Sequence, residues 1–209
     1  MGLSPVSGAG VNAAGGILVL LVTGLSGEPR FATAFHDAAA AVYDAARTQW
    51  SVAESSLVYL AEDPAQDAAR ITGRATREEI ASAFAELARR SEAGDVILVM
   101  LQGHGSGQGA DSRLSLPGPD ATAADFAVWL TPLIGRTVVL VNAASGSGDF
   151  IAALAGPNRL VVTATKNSTQ RNETIFAEHF VRGLTSDAGD SDKDGRVTAG
   201  EWRGMAEMF

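Results

Sequence analysis

The chain of 209 residues contains no cysteine. This absence excludes disulfide bonds, thiolate nucleophiles and thiolate metal sites together. It does not indicate a compartment, because reducing and oxidising surroundings both tolerate a chain without cysteine. The protein therefore cannot use a cysteine nucleophile for catalysis.

Basic residues are also scarce, since 16 Lys and Arg stand against 24 Asp and Glu and leave a net charge of -8. A general nucleic-acid-binding protein needs a basic face that releases counterions from phosphates, so we expect no nucleic acid as a partner. The longest apolar run near the start, residues 17–22, is far too short for membrane insertion. We expect a soluble protein, cytoplasmic, or periplasmic or secreted if a native leader was removed.

Apolar blocks alternate along the chain with segments of helical periodicity. The clearest strand candidates are the blocks at 17–23, 57–60, 96–101, 137–141 and 160–165. Continuous apolar strands separated by helices are typical of a parallel sheet that is covered on both faces. The sequence therefore predicts an α/β fold, doubly wound, with a mostly parallel six-stranded sheet and helices on both faces.

Ligands of such sheets bind beyond the carboxyl ends of the strands, near the point where the strand order reverses. That rule points to the loop QGHG (102–105) and the loop NAASGSG (142–148). The two loops resemble those of legumain- and caspase-like cysteine peptidases, which place His-Gly after one buried strand and a pattern like Gln-Ala-Cys-x-Gly after the next. Bacterial legumain-like proteins also share the stretches LPGPD (116–120) and VVTATKNSTQRNET (161–174).

The resemblance implies a caspase-like fold in which His104 is the general base and the Gly105 N–H is an oxyanion donor. In the same pattern, Asn142 and Ala143 precede the nucleophile, and Ala144 falls on the position of the missing cysteine. Two explanations stay open. The alanine is native in a pseudopeptidase that binds a peptide or protein partner, or it is a Cys-to-Ala change that inactivates a peptidase.

Two other functions compete with this interpretation. In the first, the Ser145 hydroxyl replaces the cysteine, with His104 as its base, and the protein is an active hydrolase. In the second, the turn at residues 24–27 after the first strand cradles phosphate in a flavodoxin-like nucleotide-binding module, although it has neither the third glycine of the dinucleotide fingerprint nor the Lys of a P-loop.

The end of the chain contains a second motif, because residues 190–201 fit the twelve-position EF-hand loop without a mismatch. Gly195 stands at the position of the sharp turn. The predicted ligands all offer oxygen: Asp190, Asp192, Asp194, the Arg196 carbonyl, Thr198 and Glu201. We therefore expect Ca²⁺ as the cofactor.

These motifs divide the chain into three predicted parts. Residues 1–16 form a flexible lead-in, and residues 17–186 form the α/β domain. Residues 187–209 hold the calcium loop and a helix packed on the domain.

Overall fold

The computed structural model describes residues 16–167, 169–170, 176–185 and 190–195. Most of the predicted lead-in and the predicted carboxyl-terminal helix lie outside these residues. The described strands are β1 (Ile17–Thr23), β2 (Leu57–Ala61), β3 (Gly73–Arg74), β4 (Val96–Gln102), β5 (Gly105–Ser106), β6 (Arg113–Leu114), β7 (Ala121–Thr122), β8 (Thr137–Asn142) and β9 (Arg159–Thr163). The described helices are α1 (Pro29–Thr48), α2 (Arg77–Arg90), α3 (Ala123–Trp129), α4 (Phe150–Leu154) and α5 (Phe176–Thr185). None of these helices is long and apolar enough to cross a membrane.

Six strands form one sheet in the order β3-β2-β1-β4-β8-β9, and every pair in it is parallel. The chain winds outward from β1 on one side and then crosses to β4 on the other, so the strand order reverses between β1 and β4. The predicted doubly wound α/β fold is confirmed, and this topology is consistent with a caspase-like or a Rossmann-like domain. Strand β3, only two residues long, is the member that none of the five apolar blocks predicted.

The core has two sides because successive residues of a strand point to opposite faces of the sheet. On the first face, Val99 and Leu140 pack beneath α2, α3 and α4. On the second face, Met100 and Val141 pack beneath α1 and α5. Burial on both faces explains why β1, β4 and β8 are apolar almost throughout.

The predicted bounds of these elements agree closely with the structure. The block 17–23 matches β1 without a shift, and the block 160–165 lies one to two residues beyond β9. Such differences at element ends reflect fraying and depend on the hydrogen bonds that define the ends.

The Gly-rich segment after β4 holds a small sheet that its sequence did not predict. Strands β5, β6 and β7 pair antiparallel in that order, and each is only two residues long, which is too short for an alternating pattern to appear. The Ser115 N–H donates to the His104 carbonyl at 2.9 Å, and the Leu25 N–H donates to the Ser115 carbonyl at 2.9 Å. The segment therefore fastens the loop after β4 to the turn after β1.

Asp125 joins the beginnings of two helices. The Thr122 hydroxyl accepts the Asp125 N–H at 3.1 Å and the Asp125 carboxylate accepts the Thr122 N–H at 2.9 Å, and these two bonds form a capping box at the start of α3. The same carboxylate accepts two hydrogen bonds from Arg77, the first residue of α2. The Arg77 guanidinium, helped by the Thr122 N–H, lowers the pKa of Asp125 to about 2.

We expect Asp125→Asn to lower the free energy of unfolding by about 1–2 kcal/mol near pH 7, because it weakens the cap and removes the charged partner of Arg77. The folded-state pKa of Asp125 lies below its unfolded value. Its charge therefore contributes stability above about pH 4, and that stability is lost as the pH falls toward 2.

Urea denaturation between about pH 7 and about pH 2.5 measures this effect, and the variant and the parent chain should converge as the pH falls. Asp111→Asn, at an exposed position, is the control and should leave the stability unchanged. A difference between Asp125→Asn and the parent that stays constant across this range contradicts the assignment.

Candidate functional site

His104 lies in the loop after β4, and contacts on several sides fix the orientation of its ring. The ring packs edge-on against Phe31, with 4.8 Å between the centroids, and against Phe35, with 5.4 Å. Its Nε2 lies 3.0 Å from the Ser26 carbonyl oxygen. A carbonyl only accepts, so Nε2 must carry the proton, and in the neutral ring Nδ1 is the basic nitrogen.

Ser26, whose carbonyl orients His104, is itself held by a carboxylate. Glu62, directly after β2, accepts hydrogen bonds from the Ser26 N–H at 2.9 Å and from the Ser26 hydroxyl at 2.7 Å. Three loops after parallel strands thus form one chain of contacts, from Glu62 through Ser26 to His104. A general base oriented by a further group is the arrangement that acid–base and nucleophilic catalysis use.

The loop after β8 places neighbouring alanines on opposite sides of the sheet. Ala143 continues the alternation of Val139 and Val141 and lines a cavity with His104. Ala144 is 1% exposed and packs with the cluster under α3 and α4. The residue that faces the His104 cavity is therefore Ala143, one position before the alanine to which the resemblance assigned the missing cysteine.

Gly105 and Ser145, both predicted site residues, contact each other. The Gly105 N–H donates to the Ser145 hydroxyl oxygen at 3.2 Å, so the proposed oxyanion donor already has an acceptor in this structure. Among the described residues, no hydrogen bond joins the Ser145 hydroxyl to the His104 ring. The structure thus brings His104, Gly105 and Ser145 together at one edge of the sheet and leaves Ala144 on its other side.

The cavity has a volume of about 530 Å³ and opens at the carboxyl ends of β4 and β8. Helices α1 and α5 form two of its walls. The lining side chains that carry charge or hydrogen-bonding groups are Asp37, Gln102, His104, Ser145, Glu178 and Arg182. It lies beside the reversal of strand order between β1 and β4, the place where ligands of such sheets bind.

Gln102, the last residue of β4, brings an unsatisfied amide to this cavity. The residue is 6% exposed, and its Oε1 has no hydrogen-bond partner among the described residues. A buried polar atom without a partner costs about 1–3 kcal/mol, so such atoms are uncommon in folded proteins. Gln102 is thus the lining residue of the cavity whose side chain holds a buried oxygen without a described partner.

The turn at residues 24–27 does not offer the free backbone N–H groups that a phosphate needs. The Gly24 N–H donates to the Gln102 carbonyl at 2.8 Å, and the N–H groups of Leu25 and Ser26 donate to Ser115 and Glu62. The Glu62 carboxylate, which is hydrogen-bonded to this turn through Ser26, also repels an anion. Both observations disfavour the nucleotide-binding alternative.

The predicted calcium loop is described from Asp190 to Gly195. The carboxylates of Asp190, Asp192 and Asp194 each offer an oxygen, and these three oxygens lie within 4.8 Å of one another. Gly195 has φ 82°, as the sharp turn requires, and its N–H donates to Asp190 at 2.7 Å. The predicted ligands Arg196, Thr198 and Glu201 lie outside the described residues.

Several residues of the site were missed at the sequence level. Ser26 and Glu62 act through backbone and loop contacts, for which no short motif exists. The orientation of Ala143 could have been predicted from the sequence. Successive residues of a strand alternate between the two faces of the sheet, so Ala143 lies on the same face as Val141, which is the face covered by α1 and α5.

Gly105→Ala is expected to destabilise the fold by about 1–3 kcal/mol, because a Cβ at this position would lie 2.3 Å from the Ser145 carbonyl oxygen. Thermal or urea denaturation measures the change. Gly156→Ala is the control, since its added Cβ would meet nothing closer than 3.5 Å. Equal stability of the two variants would show that the loops after β4 and β8 do not approach as closely as described.

Comparison with known proteins bears on the fold. No family model matches the sequence, and no curated protein matches it. Among solved structures, the chain is similar to the crystal structure of protein GSU0716 from Geobacter sulfurreducens, with a TM-score of 0.56 and 13% sequence identity. The match covers 80% of this chain and 81% of that chain. At this identity the similarity supports the α/β fold alone.

Proposed function

We propose that this protein is a pseudopeptidase of the legumain- and caspase-like type, which binds a peptide in the His104 cavity and does not cleave it. The observation that carries the proposal is the cavity itself: an oriented imidazole and a methyl group, that of Ala143, line the same space at the carboxyl edge of the sheet. A cysteine peptidase needs a thiolate at the second of these positions.

The remaining groups have defined roles in peptide binding. The Ser26 carbonyl holds Nε2–H of His104, so that Nδ1 is the nitrogen available to accept a proton. The Gly105 N–H can donate to a peptide carbonyl only after Ser145 releases it. Without sulfur, no covalent bond forms to the carbonyl carbon, and the cavity retains only recognition.

The structure gives the active-hydrolase alternative little support. Serine requires a base in hydrogen-bond contact with its hydroxyl, and the described contact of Ser145 is with the Gly105 N–H. The nucleotide-binding alternative is disfavoured by the occupied N–H groups of residues 24–26.

Introducing a cysteine tests the proposal. Because the parent chain contains no cysteine, any thiol-dependent cleavage must come from the introduced residue. We expect Ala143→Cys to cleave a mixed peptide library in a thiol-dependent manner and to lose that cleavage when His104→Ala is added. Ala144→Cys is the matched control and should stay inactive, because its thiol would be buried on the opposite face of the sheet.

Other outcomes would contradict the proposal in identifiable ways. Cleavage by Ala144→Cys alone would restore the assignment that the resemblance first implied. Cleavage by the parent chain that disappears in Ser145→Ala would establish the serine hydrolase instead. Folded but inactive Ala143→Cys would remove the peptidase interpretation of the cavity.

Calcium binding is the second part of the proposal. Three carboxylates whose oxygens cluster within 4.8 Å repel one another unless a cation lies among them, and Ca²⁺ prefers such oxygen ligands. The loop begins at Asp190, five residues after the last residue of α5, and α5 lines the cavity. The cation therefore stabilises the part of the chain adjoining one wall of the peptide site.

Calorimetric titration should detect Ca²⁺ binding to the parent chain, and Asp190→Asn should weaken it by at least about tenfold, because one charged ligand is lost. Asp111→Asn makes the same chemical change at an exposed position elsewhere and should leave the affinity unchanged. Equal affinities for all three proteins, or no heat of binding at all, would reject the calcium site.

A further inference from the structure

The cavity contains a carboxylate that the peptidase interpretation does not use. Asp37 projects from α1 onto the cavity wall. Among the residues that the structure describes, it forms no hydrogen bond and no ion pair. The other two lining residues with formal charge, Glu178 and Arg182, form an ion pair with each other.

The charges on α5 cancel each other. The Arg182 guanidinium lies 2.5 Å from the Glu178 carboxylate, and the two side chains belong to successive turns of one helix. The pair contributes no net charge to the cavity, so that Asp37 leaves the wall with an excess of one negative charge. A cationic ligand complements the charge of this wall.

Other lining residues contribute polar and apolar surface to the cavity. Gln102 lines the cavity and is 6% exposed, and its Oε1 has no hydrogen-bond partner among the described residues. Phe35, Ala38 and Val181 supply apolar surface between the polar groups. An extended aliphatic stem with a charged donor at its tip matches all of these features.

We propose that Asp37 makes the cavity selective for a peptide that inserts an arginine or lysine side chain. This inference rests on the proposed function and adds its ligand class. The stem packs against the apolar wall while the guanidinium or ammonium group lies against the Asp37 carboxylate. The net charge of -8 on the chain further attracts a cationic peptide.

The test compares binding of two nearly isosteric small ligands, benzoyl-arginine amide and benzoyl-citrulline amide, to the protein at low salt. Citrulline keeps the shape and several donors of arginine and lacks its charge. We expect the arginine ligand to bind the parent chain about tenfold more tightly, a factor typical of one charge-assisted contact. Asp37→Asn should abolish this preference and leave the citrulline affinity unchanged.

Two further variants make the result specific. Arg182→Gln removes the cation that neutralises Glu178 and should strengthen binding of the arginine ligand. Glu78→Gln removes a carboxylate from α2, on the opposite face of the sheet, and should have no effect beyond a small change common to both ligands.

The inference is overturned if the parent chain binds both ligands equally, if Asp37→Asn retains the preference, or if a benzoyl-aspartate ligand binds best through Arg182. Because these measurements need no cysteine, they can fail while Ala143→Cys is an active peptidase. Conversely, an arginine preference that depends on Asp37 stands even if Ala143→Cys cleaves nothing, in which case the cavity is a cation-binding site unrelated to peptidases.

Discussion

The register of three parallel strands is the constraint on which the site depends. Thr23 of β1 pairs with Gln102 of β4, and Leu101 pairs with Asn142 of β8, so that the three strands end side by side. The loops that follow them carry Ser26, His104 and Ala143. A slip of one residue in either pairing would move these side chains to the other face of the sheet and separate the imidazole from its carbonyl partner.

Long apolar runs made most of the fold predictable. The strands β1, β4 and β8 are buried on both faces and therefore leave a strong, continuous signal, whereas β3 and the three strands of the small sheet are each two residues long and leave none. The cap of α3 at Thr122 was predictable because its chemistry is local. The Arg77–Asp125 ion pair was not, since it joins residues that only the folded chain brings together.

The site was predictable in part for the same reasons. His104 and Gly105 stand in a short motif directly after a strong strand, so their location at the carboxyl end of the sheet followed from the pattern. The assignment of Ala144 came from matching letters to a motif, while the direction of a side chain comes from the alternation of the strand that precedes it. Ser26, Glu62 and Asp37 depend on tertiary contacts between loops and helices, which no spacing along the chain encodes.

A binding site places fewer physical demands on its cavity than a catalytic site does. A peptidase must hold its imidazole, its donor and its sulfur in one geometry through the reaction, whereas a binding site needs only complementary shape and charge. The hydrogen bonds that Ser26 donates to Glu62 and accepts from His104 Nε2 hold the imidazole in one orientation. Under the proposed function, this geometry and the Asp37 carboxylate would retain a peptide without cleaving it.

The central claim, that position 143 faces an oriented imidazole and position 144 does not, has a direct measurement. The rate of iodoacetamide alkylation of Ala143→Cys should follow a thiol pKa well below the usual value of about 8.5, and this lowering should vanish when His104→Ala is added. Ala144→Cys should react slowly at every pH because its thiol is buried. A reactive thiol of lowered pKa at position 144, with an ordinary or inaccessible one at position 143, would contradict the account.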